Sequence, residues 1–197
     1  MEKNDLVQVQ ITDYTVDGEG IGKVDAFPLF VKDTCVGDEI LCKIIKLKKN
    51  YGYGRLMEVL KSSPDRKEAD CPVARACGGC QLQHMTYDAE IRFKTRKVAE
   101  NLRRIGGFTD LSVPTALGMT EEDGSLKALP YFYRNKAQVP FGYDKNGRLV
   151  AGFYAGRTHD IIDCEHCLLT FPEAGVVIAA VKQWMLRFQV PAYNEET

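Results

Sequence analysis

In LVQVQIT the apolar positions Val7, Val9 and Ile11 alternate with Gln8 and Gln10, the two-residue period of a half-buried strand. Strand-like runs follow in GEGIGKVD, AFPLFVKD, DEILCKIIKL and YGRLMEVL, with turn residues between them. Five short strands within residues 1–61 predict a small closed β-barrel, because closure leaves no sheet edge unpaired. GEGIGK superficially resembles a phosphate loop. Such a loop must open a helix, however, and this one runs on into a strand, so it reads as a turn. Residues 62–70, polar and carrying Pro64, read as a linker.

Beyond residue 70 the period changes. TYDAEIRFKTRKVAENLRRIGG carries Ile91, Val98, Leu102 and Ile105 on one helical stripe, with Thr86 or Asp88 as its cap and Gly106-Gly107 as its stop. RNKAQVPFGYDKNGRLVAGFY predicts a β-hairpin turning at Asp144–Gly147, and GRTHDIID extends its sheet. A second amphipathic helix is expected from Pro172 to Gln189. Residues 71–197 thus read as an α+β domain.

Composition narrows the class. The apolar and charged fractions, 45% and 27%, are those of a soluble globular chain. No run reaches the ~20 apolar residues of a membrane helix, and MEKNDLVQVQITDY lacks the apolar core of a signal peptide. A cytoplasmic monomer with reduced thiols is therefore expected, so clustered cysteines point to metal or catalysis before disulfides. The net charge of −1 gives no whole-chain case for nucleic acid, which leaves local patches to carry any such argument.

Those cysteines are concentrated in CPVARACGGCQLQH. Cys71, Cys77 and Cys80 form C-x5-C-x2-C, and Gly78-Gly79 lets the backbone fold closely around whatever the thiolates hold. DCEHC adds Cys164 and Cys167 far downstream. Three local thiols plus one remote one suit a [4Fe–4S] cluster. The rival is zinc held by Cys77-x2-Cys80 and Cys164-x2-Cys167, which would leave Cys71 idle and needs a wider separation than the usual ~15–20 residues. Cys35 and Cys42 read as small buried hydrophobes, and His84, His159 and His166 as structural. No Ser-His-Asp set or carboxylate pair stands out, so no catalytic residue is assigned.

Residues 71–107 hold seven Lys/Arg against three acids. Lys43, Lys46, Lys48 and Lys49 lie beside Tyr51 and Tyr53, and cations interleaved with aromatics suit phosphate contacts and base stacking. In YFYRNKAQVPF, Arg134 and Lys136 occupy alternate positions of an expected strand, hence one face.

CPVARACGGCQLQH followed by a basic helix resembles the iron–sulfur signature of the RNA uracil-5 methyltransferases, above all those acting on 23S ribosomal RNA. ITDYTVDGEGIGKVDAFPLFVKDTCVGDEILCKI resembles their opening TRAM domain, an OB-like five-stranded barrel that grips RNA. YRNKAQVPF, GFY, HDIID and HCLLTFPE resemble successive parts of their central domain, so the likeness spans nearly the whole chain in order. The resemblance implies a [4Fe–4S] cluster on Cys71, Cys77, Cys80 and Cys167. Cys167 is preferred to Cys164 because Leu168-Leu169 and Pro172 follow it. It also implies an RNA-facing role for Arg134 and Lys136, and charge pattern adds Lys46, Lys48, Lys49, Arg96 and Lys97.

Family members attack uracil C6 with a cysteine thiolate, take the methyl group from S-adenosylmethionine and remove the C5 proton with a carboxylate, all within a Rossmann-like C-terminal domain. Here no cysteine follows Cys167 and no glycine-rich strand–helix turn offers a place for the methyl donor. The expectation is an RNA-binding, iron–sulfur N-terminal portion of such an enzyme, itself inactive. The alternative is a free-standing zinc-containing RNA-binding module.

Overall fold

A computed structural model describes residues 1–127 and 130–193. By contact the chain forms two compact units, Met1–Ala69 with Gln81–Ala128, and Asp70–Cys80 with Leu129–Thr197.

The first unit is built on a closed barrel of β1 (Leu6–Tyr14), β2 (Gly20–Val24), β3 (Phe27–Val31), β4 (Glu39–Leu47) and β5 (Gly52–Lys61). Its strands neighbour one another in the order β1-β2-β3-β5-β4, and β4 returns to β1 to close the ring. Chain-distant strands come side by side through the antiparallel β1–β4 pairing and the parallel β3–β5 pairing. Alternation does the rest: Val9, Ile11, Leu29, Val31, Ile40, Cys42, Ile44 and Leu56 fill the interior. Bulges in β1 and in the β4–β5 pairing add the bend that closure needs. Gly54 is dictated by space, since a Cβ there would lie 2.1 Å from the Cys42 sulfur.

Against this barrel lies α1 (Tyr87–Arg104), capped as expected by Thr86, whose hydroxyl accepts from the Ala89 amide. Tyr14 and Phe93 meet edge to face at 5.3 Å, and Arg96 pairs with Asp13 at 2.9 Å. Burial in α1 is confined to Ala89 and Ile91, whereas Val98 is 49% and Ile105 84% exposed. The expected apolar stripe is therefore used only in its first half, where the helix meets Cys35, Met85 and the Gly118 segment.

Residues 62–70 are bound closely to the barrel. Ser63 is buried, Arg66 chelates the fully buried Asp38, and the Lys67 amide donates to the His84 carbonyl at 2.9 Å. A buried carboxylate on β4's approach thus anchors what composition alone marks as a connector.

The second unit contains a three-stranded sheet of β6 (Phe141–Tyr143), β7 (Leu149–Tyr154) and β8 (Ile161–Asp163), with β7 central, and α2 (Glu173–Phe188). The hairpin turns at Asp144–Gly147, and Gly147 takes the positive φ of 74° that such a turn requires. The expected strand through Arg134 and Lys136 does not form. Only Phe141–Tyr143 joins β7, and Arg134 makes one isolated parallel bridge to Thr170. Pro140 carries no N–H for a ladder, and the amides of Phe132 and Arg134 donate instead to Leu168 and Leu169. The two cations are both exposed, but strand alternation no longer assigns them one face.

Candidate functional site

Five of the seven cysteines gather in the second unit. From Cys71 the chain turns tightly, with the Ala74 amide donating to the Cys71 carbonyl and the Cys77 amide to the Val73 carbonyl. The Gly78 amide then donates to the Tyr154 carbonyl at 2.9 Å, and Cys77 bridges Ala155. A Cβ on Gly78 would sit 2.9 Å from that carbonyl oxygen and 3.0 Å from the Gly156 nitrogen, so only glycine permits this approach. The loop is thereby fastened to the end of β7.

The remote cysteines arrive from β8. The Cys164 amide donates to Ala151 of β7 at 2.9 Å, and Cys167 opens a turn in which the Thr170 amide and hydroxyl donate to its carbonyl. Burial, and after it the neighbouring Cys71, Cys167 and Cys77, together push the Cys164 thiol up to about 11. Tyr131, hydrogen-bonded to Asp70, is raised by burial, then by Asp70, and also by Cys71 and Cys80. The Gly79 amide lies 3.3 Å from the Cys77 sulfur and donates to it.

Among the described residues, no three His, Cys, Asp or Glu side chains converge into a metal-binding group. The backbone gathers the donors without closing them on a centre. Cys35 and Cys42 behave as structural residues: both are fully buried, and burial pushes their thiols up to about 12 and about 11. His84 is also structural, buried with a ring nitrogen 3.1 Å from the Thr34 carbonyl.

The basic candidates fall into two classes. Lys46, Lys48 and Lys49 are exposed at the β4–β5 end of the barrel, and no ion pair engages them among the described residues. Lys97 is half-buried and likewise outside any ion pair, but Arg96 is held by Asp13, and Arg103 and Arg104 by Glu100. In the second unit, Arg134 and Lys136 are exposed and outside any ion pair among the described residues. The charge pattern on α1 is thus largely neutralised by its own neighbours. Sequence reasoning missed Asp38 and Arg66, whose pairing across 28 residues leaves no local signal. It also passed over Phe30, which packs with Tyr51 at 5.3 Å.

The closed five-stranded barrel runs from Leu6 to Lys61, and residues 2–57 match the TRAM domain. The chain is 45% identical to an uncharacterized RNA methyltransferase of Halalkalibacterium halodurans and 46% to one of Bacillus cereus, each over 196 residues. It is 40% identical over 197 residues to an uncharacterized RNA methyltransferase of Listeria monocytogenes. In each case the match takes in the whole chain but 41% of the relative, so the chain spans about two fifths of the curated relatives' length. The Pyrococcus abyssi tRNA (uracil-54, C5)-methyltransferase, solved with S-adenosyl-L-homocysteine, shares the fold. The TM-score is 0.62 at 22% identity, covering 96% of this chain and 39% of that one. No helix among the described residues is long and apolar enough to cross a membrane.

Proposed function

We propose that these residues are the RNA-gripping, iron–sulfur portion of an S-adenosylmethionine-dependent RNA uracil-C5 methyltransferase acting on 23S ribosomal RNA. The observation that carries the reading is the closed barrel over the TRAM match, with lysines at its β4–β5 end outside any ion pair. Relatives named RNA methyltransferases match from end to end of the chain and support it.

The donor set suits a [4Fe–4S] cluster: thiols are the ligands such a cluster takes, and the second unit carries five of them on the 71–80 loop and just after β8. Cys71, Cys77, Cys80 and Cys167 would hold it. When bound it would supply a covalent staple between the 71–80 loop and the segment after β8. Gly78 keeps that loop on β7, and the Gly79 amide supports the Cys77 sulfur. The chain's own part in catalysis is to bind and orient RNA. Methyl transfer belongs to the additional length that the relatives carry.

The test pairs two measurements on the 197-residue chain. It should bind 23S ribosomal RNA fragments more tightly than transfer RNA, and transfer no labelled methyl from S-adenosylmethionine to either. Tighter binding to transfer RNA would redirect the substrate assignment. Turnover by the chain alone would overturn the placement of the chemistry.

A further inference from the structure

The outer face of the barrel carries an arrangement beyond its lysines. Phe30 on β3 stands opposite Tyr53 on β5, and Lys46 on β4 stands opposite Tyr53 on the other side. Leu29, Val31, Gly52 and Gly54 are buried, so alternation turns Phe30 and Tyr53 outward. Tyr51 completes a triad of mutually touching rings, with centroids 5.3, 5.6 and 5.8 Å apart. The triad is not core: none of its members belongs to the cluster filling the barrel, and each is partly exposed. Among the described residues the other aromatic contacts are isolated pairs.

Cations frame these rings. Lys46 shares their row, Lys23 stands opposite Pro28 on the next strands, and the Lys48 amide donates to the Tyr51 carbonyl at 2.8 Å. All three lysine side chains are exposed and outside any ion pair among the described residues. Rings with solvent-facing positive charge around them match a polymer that offers both flat apolar faces and phosphates.

We propose that Phe30, Tyr51 and Tyr53 form a stacking platform for unpaired RNA bases, with Lys23, Lys46 and Lys48 holding the adjoining phosphates. This rests on the RNA-binding reading above and narrows it to single-stranded segments. In a duplex the base faces are occupied by neighbouring bases, so only unstacked nucleotides can lie on the rings. The platform grips by stacking and is indifferent to base identity.

The experiment titrates the 197-residue chain into a fluorescein-labelled ten-nucleotide oligouridylate and, separately, a ten-base-pair RNA duplex, followed by anisotropy at several salt concentrations. The single strand should bind more tightly despite its lower charge density. Phe30→Leu and Tyr53→Leu should each weaken it about five- to a hundredfold, the loss of one stacked base, with the salt slope unchanged. Lys46→Gln should lower the slope instead. A 4-thiouridine oligonucleotide, photo-cross-linked to the unaltered chain, should attach to the peptides carrying Phe30, Tyr51 or Tyr53, which decides the matter even if a variant misfolds. Equal affinity for strand and duplex, wild-type affinity in folded variants, or cross-links elsewhere would each overturn the platform while leaving RNA binding in place. No binding of either RNA would overturn the underlying reading and the platform with it.

Discussion

Asp38→Ala should unfold the barrel more readily than the loss of one small side chain suggests. The carboxylate is fully buried and its partner Arg66 is 15% exposed. Its oxygens accept from the Cys35 amide at 2.6 Å, the Ser63 amide at 2.9 Å and the Arg66 guanidinium at 2.6 and 3.1 Å. Alanine leaves both amides and most of a guanidinium without these acceptors. Breaking a buried pair from one side costs about 3–5 kcal/mol. Asp38→Asn keeps an acceptor and should cost less, about 1.5–3 kcal/mol, the worth of hydrogen bonds to a charged group.

The pH dependence has a definite sign. Burial alone would raise the Asp38 carboxyl, but the Arg66 hydrogen bonds, the Ser63 and Cys35 amides and the Arg66 charge outweigh it and hold it below its ordinary value. The stabilisation is therefore complete above the unfolded value of ~3.9 and is lost as pH falls through the lower folded value. Urea unfolding of wild type, Asp38→Ala and Asp38→Asn between pH 3 and 7, with hydrogen exchange at the β1 and β4 amides, reads both effects. A cost below about 1 kcal/mol for Asp38→Ala at pH 7 would refute the reasoning, because it would mean that buried donors lose little without their acceptor.

Anaerobically purified chain should contain about four iron and four sulfide per molecule, by metal and sulfide analysis. Ala at Cys71, Cys77, Cys80 or Cys167 should abolish this and Cys164→Ala should not, while one zinc without iron would sink the assignment. Gly78→Ala, whose methyl would meet the Tyr154 carbonyl, should lower iron content without touching a ligand. RNA affinity should fall with salt at a slope of ~0.7 per neutralised phosphate. Charge removal at Arg134 and Lys136 should reduce both affinity and slope; Arg96→Gln should change little, because Asp13 already holds that guanidinium. Salt-independent binding would refute the phosphate contacts.

What the sequence disclosed follows from how local each signal is. All five barrel strands were legible because alternation and turns are written within a few residues of each other, and Thr86, Gly147 and the bounds of α2 were legible for the same reason. The Asp38–Arg66 pair and the packing of Phe30 against Tyr51 and Tyr53 were not. Asp38 and Arg66 lie outside the strands and 28 residues apart, and the parallel β3–β5 pairing that brings Phe30 to Tyr53 has no sequence period. The strand expected through Arg134 failed because a β-like composition cannot supply a partner edge. Cys71, Cys77 and Cys80 announced themselves by spacing, whereas the approach of Cys164 and Cys167 depends on the β7–β8 hairpin.

The interleaved path of the chain sets a schedule for its synthesis. Residues 70–80 leave the first unit, join a partner that begins near residue 129, and the chain meanwhile returns to build α1. During translation the three thiols of the loop emerge about 90 residues before Cys167. At ~5–20 residues per second that is a delay of roughly 5–20 s. For most of it the loop lacks the β7 edge that it binds, while everything needed to close the barrel is already made. The nascent chain thus passes through a stage in which the strands of the barrel are complete but the thiol loop has no β7 edge to settle on.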